Sequence, residues 1–137
     1  MAMDTFKCWP LDGAINDNAV PYNYTDIVAG MFVKKDSQGK LVLADGTAGE
    51  RAYFALENAT DLAVKGAKKM AYVIQNAIML TDQYDTGETY GYNTPLKVDS
   101  GDPGKLTPWV AMDTEPIVAY ADGTVTRDSV EYLKIIF

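Results

Sequence analysis

From Thr25 onward the chain alternates short apolar runs with clusters of Asp, Asn, Ser, Gly and Pro, the pattern of short strands joined by tight turns. In Ile27–Val33 the residues Ile27, Ala29, Met31 and Val33 recur at every second position, which predicts a strand with one buried face. Gly30 inside it marks a bulge or a close approach. Lys34–Lys40 places Asp, Ser and Gly as a hairpin loop does, Leu41–Ala44 reads as the returning strand, and Ala44–Gly49 is a second turn. Ala52–Leu56 predicts a further short strand. The polar stretch that follows has room for one helical turn, which Gly66 interrupts and Val64 does not favour. Met70–Leu80 is apolar on both faces except at Gln75 and Asn76, as in a central strand covered on each side. Thr81–Tyr92 reads as a loop running into an edge strand.

Leu96–Val98, Trp109–Met112, Ile117–Tyr120 and Val130–Phe137 complete the predicted strands, separated by the turn clusters DSGDPG, DTEP and ADGT. In the last of them Leu133, Ile135 and Phe137 share one face, and Val130, Tyr132 and Ile136 the other. The first two dozen residues differ. Residues 1–24 carry Pro10, Pro21, the turn-rich DGAINDN and the spaced aromatics Phe6, Trp9, Tyr22 and Tyr24, with no sustained period. They read as an irregular N-terminal arm, either folded over the core or anchored on a neighbouring subunit. The expected fold is all-β, a small barrel or sandwich of about seven to nine short strands over residues 25–137, with at most one short helix.

Composition narrows the function classes. At 137 residues and 47% hydrophobic, the chain suits one globular domain. No run approaches the ~20 apolar residues of a membrane span, and the N-terminus lacks the pattern of a secretory signal. A net charge of −7, with no basic cluster beyond Lys34–Lys35 and Lys68–Lys69, argues against nucleic acid and anionic membranes as partners. It favours solubility or a basic patch on a protein. The lone Cys8 excludes an intramolecular disulfide and suits assembly in a reducing cytoplasm.

The chain has no histidine, which removes the Ser-His-Asp and Cys-His systems, most zinc sites and the commonest general base. No glycine-rich phosphate-binding motif occurs. Two acidic groupings, Asp82 with Asp85 and Asp113 with Glu115, could form an acid/base pair, but acids in turns ordinarily serve solvation and capping. Asp12–Asn18 and Asp99–Gly104 are oxygen-rich without the order of a calcium loop, and they read as Asx-turns. The expected protein is not an enzyme and needs no metal or cofactor. Its candidate contact residues are aromatic: Phe6, Trp9, Tyr22 and Tyr24 of the arm, and Tyr84, Tyr90, Tyr92 and Trp109 of the core. Aromatic anchors dominate interface energetics.

The strand-turn-strand unit IVAGMFVKKDSQGKLVLADG resembles the opening hairpin of the small β-barrel decoration (cement) proteins of tailed-phage heads. The run from Thr81, Asp82 and Tyr84 to Asn93-Thr94-Pro95-Leu96-Lys97-Val98 is similar to their central portion, where a T-D-x-[YF] segment leads into a G-x-x-L-x-V hairpin. Asn93 stands where that pattern usually has glycine. The similarity spans roughly residues 25–137, as a pattern of turns and strands shared by other small barrels. It implies a virion structural protein on the outer capsid surface, assembled in the host cytoplasm, a homo-oligomer (a trimer) bound to the major capsid protein and stabilising the shell. It carries over no catalytic residue. Other phage tail, fibre or head-completion proteins and a carbohydrate-binding β module using Tyr and Trp remain alternatives. A carboxylate-dependent hydrolase ranks behind both.

Overall fold

The computed structural model describes residues 8–65 and 68–137. Among them run nine strands and one helix: β1 (Cys8–Ala19), β2 (Phe32–Lys35), β3 (Leu41–Leu43), β4 (Tyr53–Ala55), α1 (Ala59–Lys65), β5 (Met70–Thr81), β6 (Tyr92–Val98), β7 (Leu106–Pro108), β8 (Ala119–Arg127) and β9 (Val130–Ile136). The protein is all-β with one short helix. No helix among the described residues is long and apolar enough to cross a membrane.

The strands pair in the order β3-β2-β4-β5-β9-β8-β6-β7, with β1 on β5. β5 is the hub. One edge carries β1, while on the other β4 pairs at Val73 and Tyr72 and β9 pairs from Ile78 to Thr81. The sheet therefore forks at β5 into one wing of β4, β2 and β3 and another of β9, β8, β6 and β7. The wings meet again at Gly104, whose carbonyl accepts the Phe32 N–H at 2.8 Å and whose N–H donates to the Ala44 carbonyl at 2.9 Å. Those bonds curl the sheet into a barrel, so that the edge groups of both wings find backbone partners there.

The interior is filled from seven of the strands: Phe32, Phe54, Val73, Met79, Leu96, Leu106, Ala121, Leu133 and Ile135 are buried. A second cluster, with Ile27, Val33, Leu41, Leu62, Met70 and Tyr72, lies under α1. Phe32 and Val33, and likewise Tyr72 and Val73, are adjacent in sequence yet both buried, because these strands are covered on both faces. This is the sandwiched central strand that the apolar run of β5 predicts. The buried Thr81 hydroxyl donates to the Gly30 carbonyl at 2.9 Å and accepts the Gln83 N–H at 3.0 Å, so the end of β5 leaves no polar group unpaired.

The hairpin expected from the loop Lys34–Lys40 and the returning strand Leu41–Ala44 forms, with Val33 opposite Leu43 and Lys35 opposite Leu41, so that Lys34 and Lys35 belong to β2 and the loop is shorter than expected. Four other expectations need correction or refinement. The predicted strand at Ile27–Val33 starts only at Phe32. The chain turns before it, with the Met31 N–H bonded to the Val28 carbonyl and the Ala29 N–H taken by Asn58 Oδ1, bonds that replace a ladder. The strand expected at Trp109–Met112 lies instead at Leu106–Pro108, since Asp113 Oδ2 accepts the Val110 N–H and folds 110–113 into a turn. The ADGT segment is no turn. It lies inside β8 as a bulge, with Gly123 at φ 81° and a register shift between Ala121 and Thr124. The hairpin turn falls at Asp128–Ser129, both at positive φ, as a two-residue loop between twisted strands requires. Finally, the arm carries strand β1 on β5, irregularly, with register shifts on both sides of Ile15.

Candidate functional site

Antiparallel partners point to the same face of a sheet. The row Ala121, Ile135 and Met79 is buried, as are Leu96 and its partner Ala119. The alternate row must then face outward. It runs Pro95, Tyr120, Ile136, Ile78 through β6, β8, β9 and β5, and continues in register to Trp9 of β1. Tyr120 is 47% and Ile136 39% exposed, and Pro95 and Ile78 are half-buried. Beside them Tyr92 is 77% exposed, its ring within 3.2 Å of where a side chain on Gly123 would begin. The bulge glycine thus makes room for Tyr92 at the edge of an apolar strip crossing four strands. The ion pair Lys134–Asp122, at 3.3 Å, flanks it.

Next to Tyr120, where the sheet forks, lies a depression of about 250 Å³. Its walls are Ala52, Ile74, Val118, Tyr120 and Phe137, with Arg51 on the rim. Another, of about 390 Å³, runs along Lys34, Lys35, Glu50, Arg51 and Tyr53. Its cations are engaged: Lys34 by Asp45 at 3.1 Å and Glu50 at 2.9 Å, Lys35 over the rings of Tyr53 and Tyr72, Arg51 over Tyr53.

The aromatic candidates do not share one surface. Tyr84 is buried and meets Tyr90 edge-on at 5.3 Å, at the mouth of the barrel. Their hydroxyls donate inward, Tyr84 to the Glu131 carbonyl and Tyr90 to the Asp85 carbonyl at 2.7 Å. Burial, reinforced by Glu131, pushes the Tyr84 phenol up to about 12. Trp109 pins the 109–118 loop through Nε1 to the Glu115 carbonyl at 3.1 Å. Tyr24 packs against the cluster under α1, and Tyr22 is exposed elsewhere, at the edge of β3. Only Tyr92 joins the outer strip. Trp9 reaches the strip by register alone, since its side chain and all of Phe6 lie outside the described residues.

The acidic groupings are also redistributed. Asp113 and Glu115 both bind Lys97, at 3.1 and 3.2 Å, and Asp82 accepts from Gln83. Asp85 hydrogen-bonds instead with Asp99. Desolvation, then the hydrogen bond to Asp99, pushes Asp85 up to about 6, while that same bond holds Asp99 below the usual carboxylate range. Asp99 also accepts the Gly101 N–H in an Asx-turn. No three metal-ligating side chains gather among the described residues.

The folded Asp85 keeps its proton to a higher pH than the ordinary 3.8 of the unfolded chain. Its contribution is complete below pH 3.8 and is lost as pH rises through 6. Asp85→Asn supplies the same donor without a titrating proton. It is expected to stabilise the protein at pH 7 by about 1 kcal/mol, after discounting for partial solvent access. Stability between pH 4 and 6 should lose part of its slope, which denaturant melts across that range would read. A variant less stable at pH 7 would contradict the unfavourable ionisation of Asp85 beside Asp99.

Aromatic content alone did not single out Tyr120 or Ile136. The alternation in Val130–Phe137 already placed Ile136 opposite Leu133 and Ile135, and this was the legible signal. Compared with family models, curated proteins and solved structures, the chain gives no significant match.

Proposed function

We propose that the protein is a non-catalytic structural subunit, a capsid decoration protein that seats as a homo-oligomer on the outer surface of an assembled phage head, against the major capsid protein, and stabilises it. The observation that carries this reading is the outward strip of Tyr92, Pro95, Tyr120, Ile136 and Ile78 on a barrel wall. Apolar surface on a rigid sheet is ready to be covered without an ordering cost, and Tyr is a favoured anchor residue at interfaces. The net charge of −7 suits a shell surface with basic patches. Many modest contacts, repeated by each copy, add through multivalency.

Co-sedimentation of the purified protein with undecorated heads tests the reading. Wild type is expected to pellet with heads and to delay their thermal rupture, while Tyr120→Asp weakens binding tenfold or more, about 1.4 kcal/mol. Failure of the wild type to bind heads would sink it. A second reading, a carbohydrate-binding module, draws on the neighbouring exposed rings of Tyr92 and Tyr120. A flat glycan array would remove it.

A further inference from the structure

The most exposed apolar side chain among those described is Met112, at 94%. It also sits at φ 82°, a left-handed conformation that suits Gly or Asn and strains a long side chain. Strain and exposure together at one residue call for a use of that side chain. The tip is held rigidly. The Asp113 N–H bonds to the Val110 carbonyl at 3.0 Å, Asp113 Oδ2 takes the Val110 N–H at 2.8 Å, and Trp109 ties the loop back to Glu115. Beneath the tip two carboxylates, Asp113 and Glu115, share the single ammonium of Lys97, leaving net negative charge.

The depression at the β5 fork has the converse character. Its walls are apolar, the Arg51 guanidinium, lying over the Tyr53 ring, gives its rim a positive charge, and about 250 Å³ lies below the usual range of small-molecule sites while admitting one side chain. Other exposed apolar tips match it less well. Val64 on α1 is followed by the exposed Lys68 and Lys69, which would face Arg51 with like charge. Tyr22 lines a groove of its own beside β3.

We infer that the Met112 tip of one copy inserts into the fork depression of a second copy, with the acidic base of the tip facing Arg51. Each chain carries both halves, so the contact repeats and can close. The inference deepens the homo-oligomeric part of the reading above. Its test uses no heads, so failure to self-associate and failure to bind a shell are read separately.

The experiment is sedimentation equilibrium of the full chain up to about 100 µM, a range that detects even weak self-association. Wild type should show a small integer multiple of 15.0 kDa. Met112→Asp and Arg51→Glu should each weaken association at least tenfold, and the oligomer should weaken with added salt. Met112→Gly separates contact from folding: it should abolish association while leaving the thermal midpoint no lower, because glycine relieves the positive φ. A wild type that stays at 15.0 kDa, or an oligomer indifferent to all three substitutions, overturns the inference.

Discussion

Phe54→Ala should cost about 4 kcal/mol of folding stability, a large part of the 5–15 kcal/mol typical of a domain. Phe54 is fully buried where the wing of β4, β2 and β3 leaves β5, opposite Val73 on one side and Phe32 on the other. Its ring meets Phe32 edge-on at 5.7 Å and stacks on Phe137 at 5.8 Å, while Phe32 and Phe137 meet at 5.6 Å. Truncation removes two of these three ring contacts and leaves a cavity bounded by a closed sheet. Such a wall collapses poorly, because β4, which carries Phe54, is held by β2 on one edge and β5 on the other. The melting temperature should fall by on the order of 15 °C, and Phe54→Leu, which refills most of the volume, by much less. Thermal and urea melts check both. A loss under about 1 kcal/mol would mean that the three rings are not the centre of the core.

Gly104→Ala should cost about 3 kcal/mol. Gly104 sits at φ 87°, where a side chain costs roughly 1–2 kcal/mol. A Cβ there would lie 3.0 Å from Leu43 Cδ2 and 3.2 Å from Met31 Sδ, so both must give way. Relief by moving the backbone would stretch the Phe32 and Ala44 hydrogen bonds that join the two wings. Gly49→Ala is the control. It has a similar φ of 81° but nothing within 4 Å of the added carbon, so only the conformational cost of about 1 kcal/mol remains. Denaturant midpoints of the two variants compare closure directly. Equal losses would show that the crowding at Gly104 contributes nothing.

Both substitutions act on the barrel, and the barrel was partly legible beforehand. Alternation in Val130–Phe137 and the unbroken apolar run of Met70–Leu80 follow from which faces are buried, and burial is written in residue type. The β2–β3 hairpin was legible because Asp36 and Gly39 supply the turn: the Asp36 carboxylate accepts the Gln38 and Lys40 N–H groups, and Gly39 takes a positive φ. The ADGT segment misled for the same reason. Gly123 meets the demand for positive φ in a bulge as well as in a turn, and local chemistry does not distinguish them. The real turn at Asp128–Ser129 uses two residues whose positive φ is imposed by the pairing of Arg127 with Val130.

The candidate site was less legible than the fold. A list of aromatics treats Tyr84, Tyr90 and Tyr92 alike, yet Tyr84 is buried in the barrel mouth while Tyr92 is almost wholly exposed. Which of them faces water depends on register, and a register shift lies between Tyr92 and Pro95, where Asn93 at φ 64° reverses the local alternation. Carboxylate pairing likewise follows space rather than sequence: Asp85 meets Asp99, fourteen positions away, not Asp82.

Composition and pattern by themselves determined an all-β chain with a net charge of −7, no histidine chemistry, the β2–β3 hairpin and the strands β5 and β9, because each of those depends on residue type and near neighbours. Tertiary structure alone decided the closure at Gly104, the fork at β5, the outward strip through Tyr120 and Ile136, and the exposure of a strained Met112. These arise from pairings between residues tens of positions apart, and a residue's own chemistry is silent about which distant strand lies beside it.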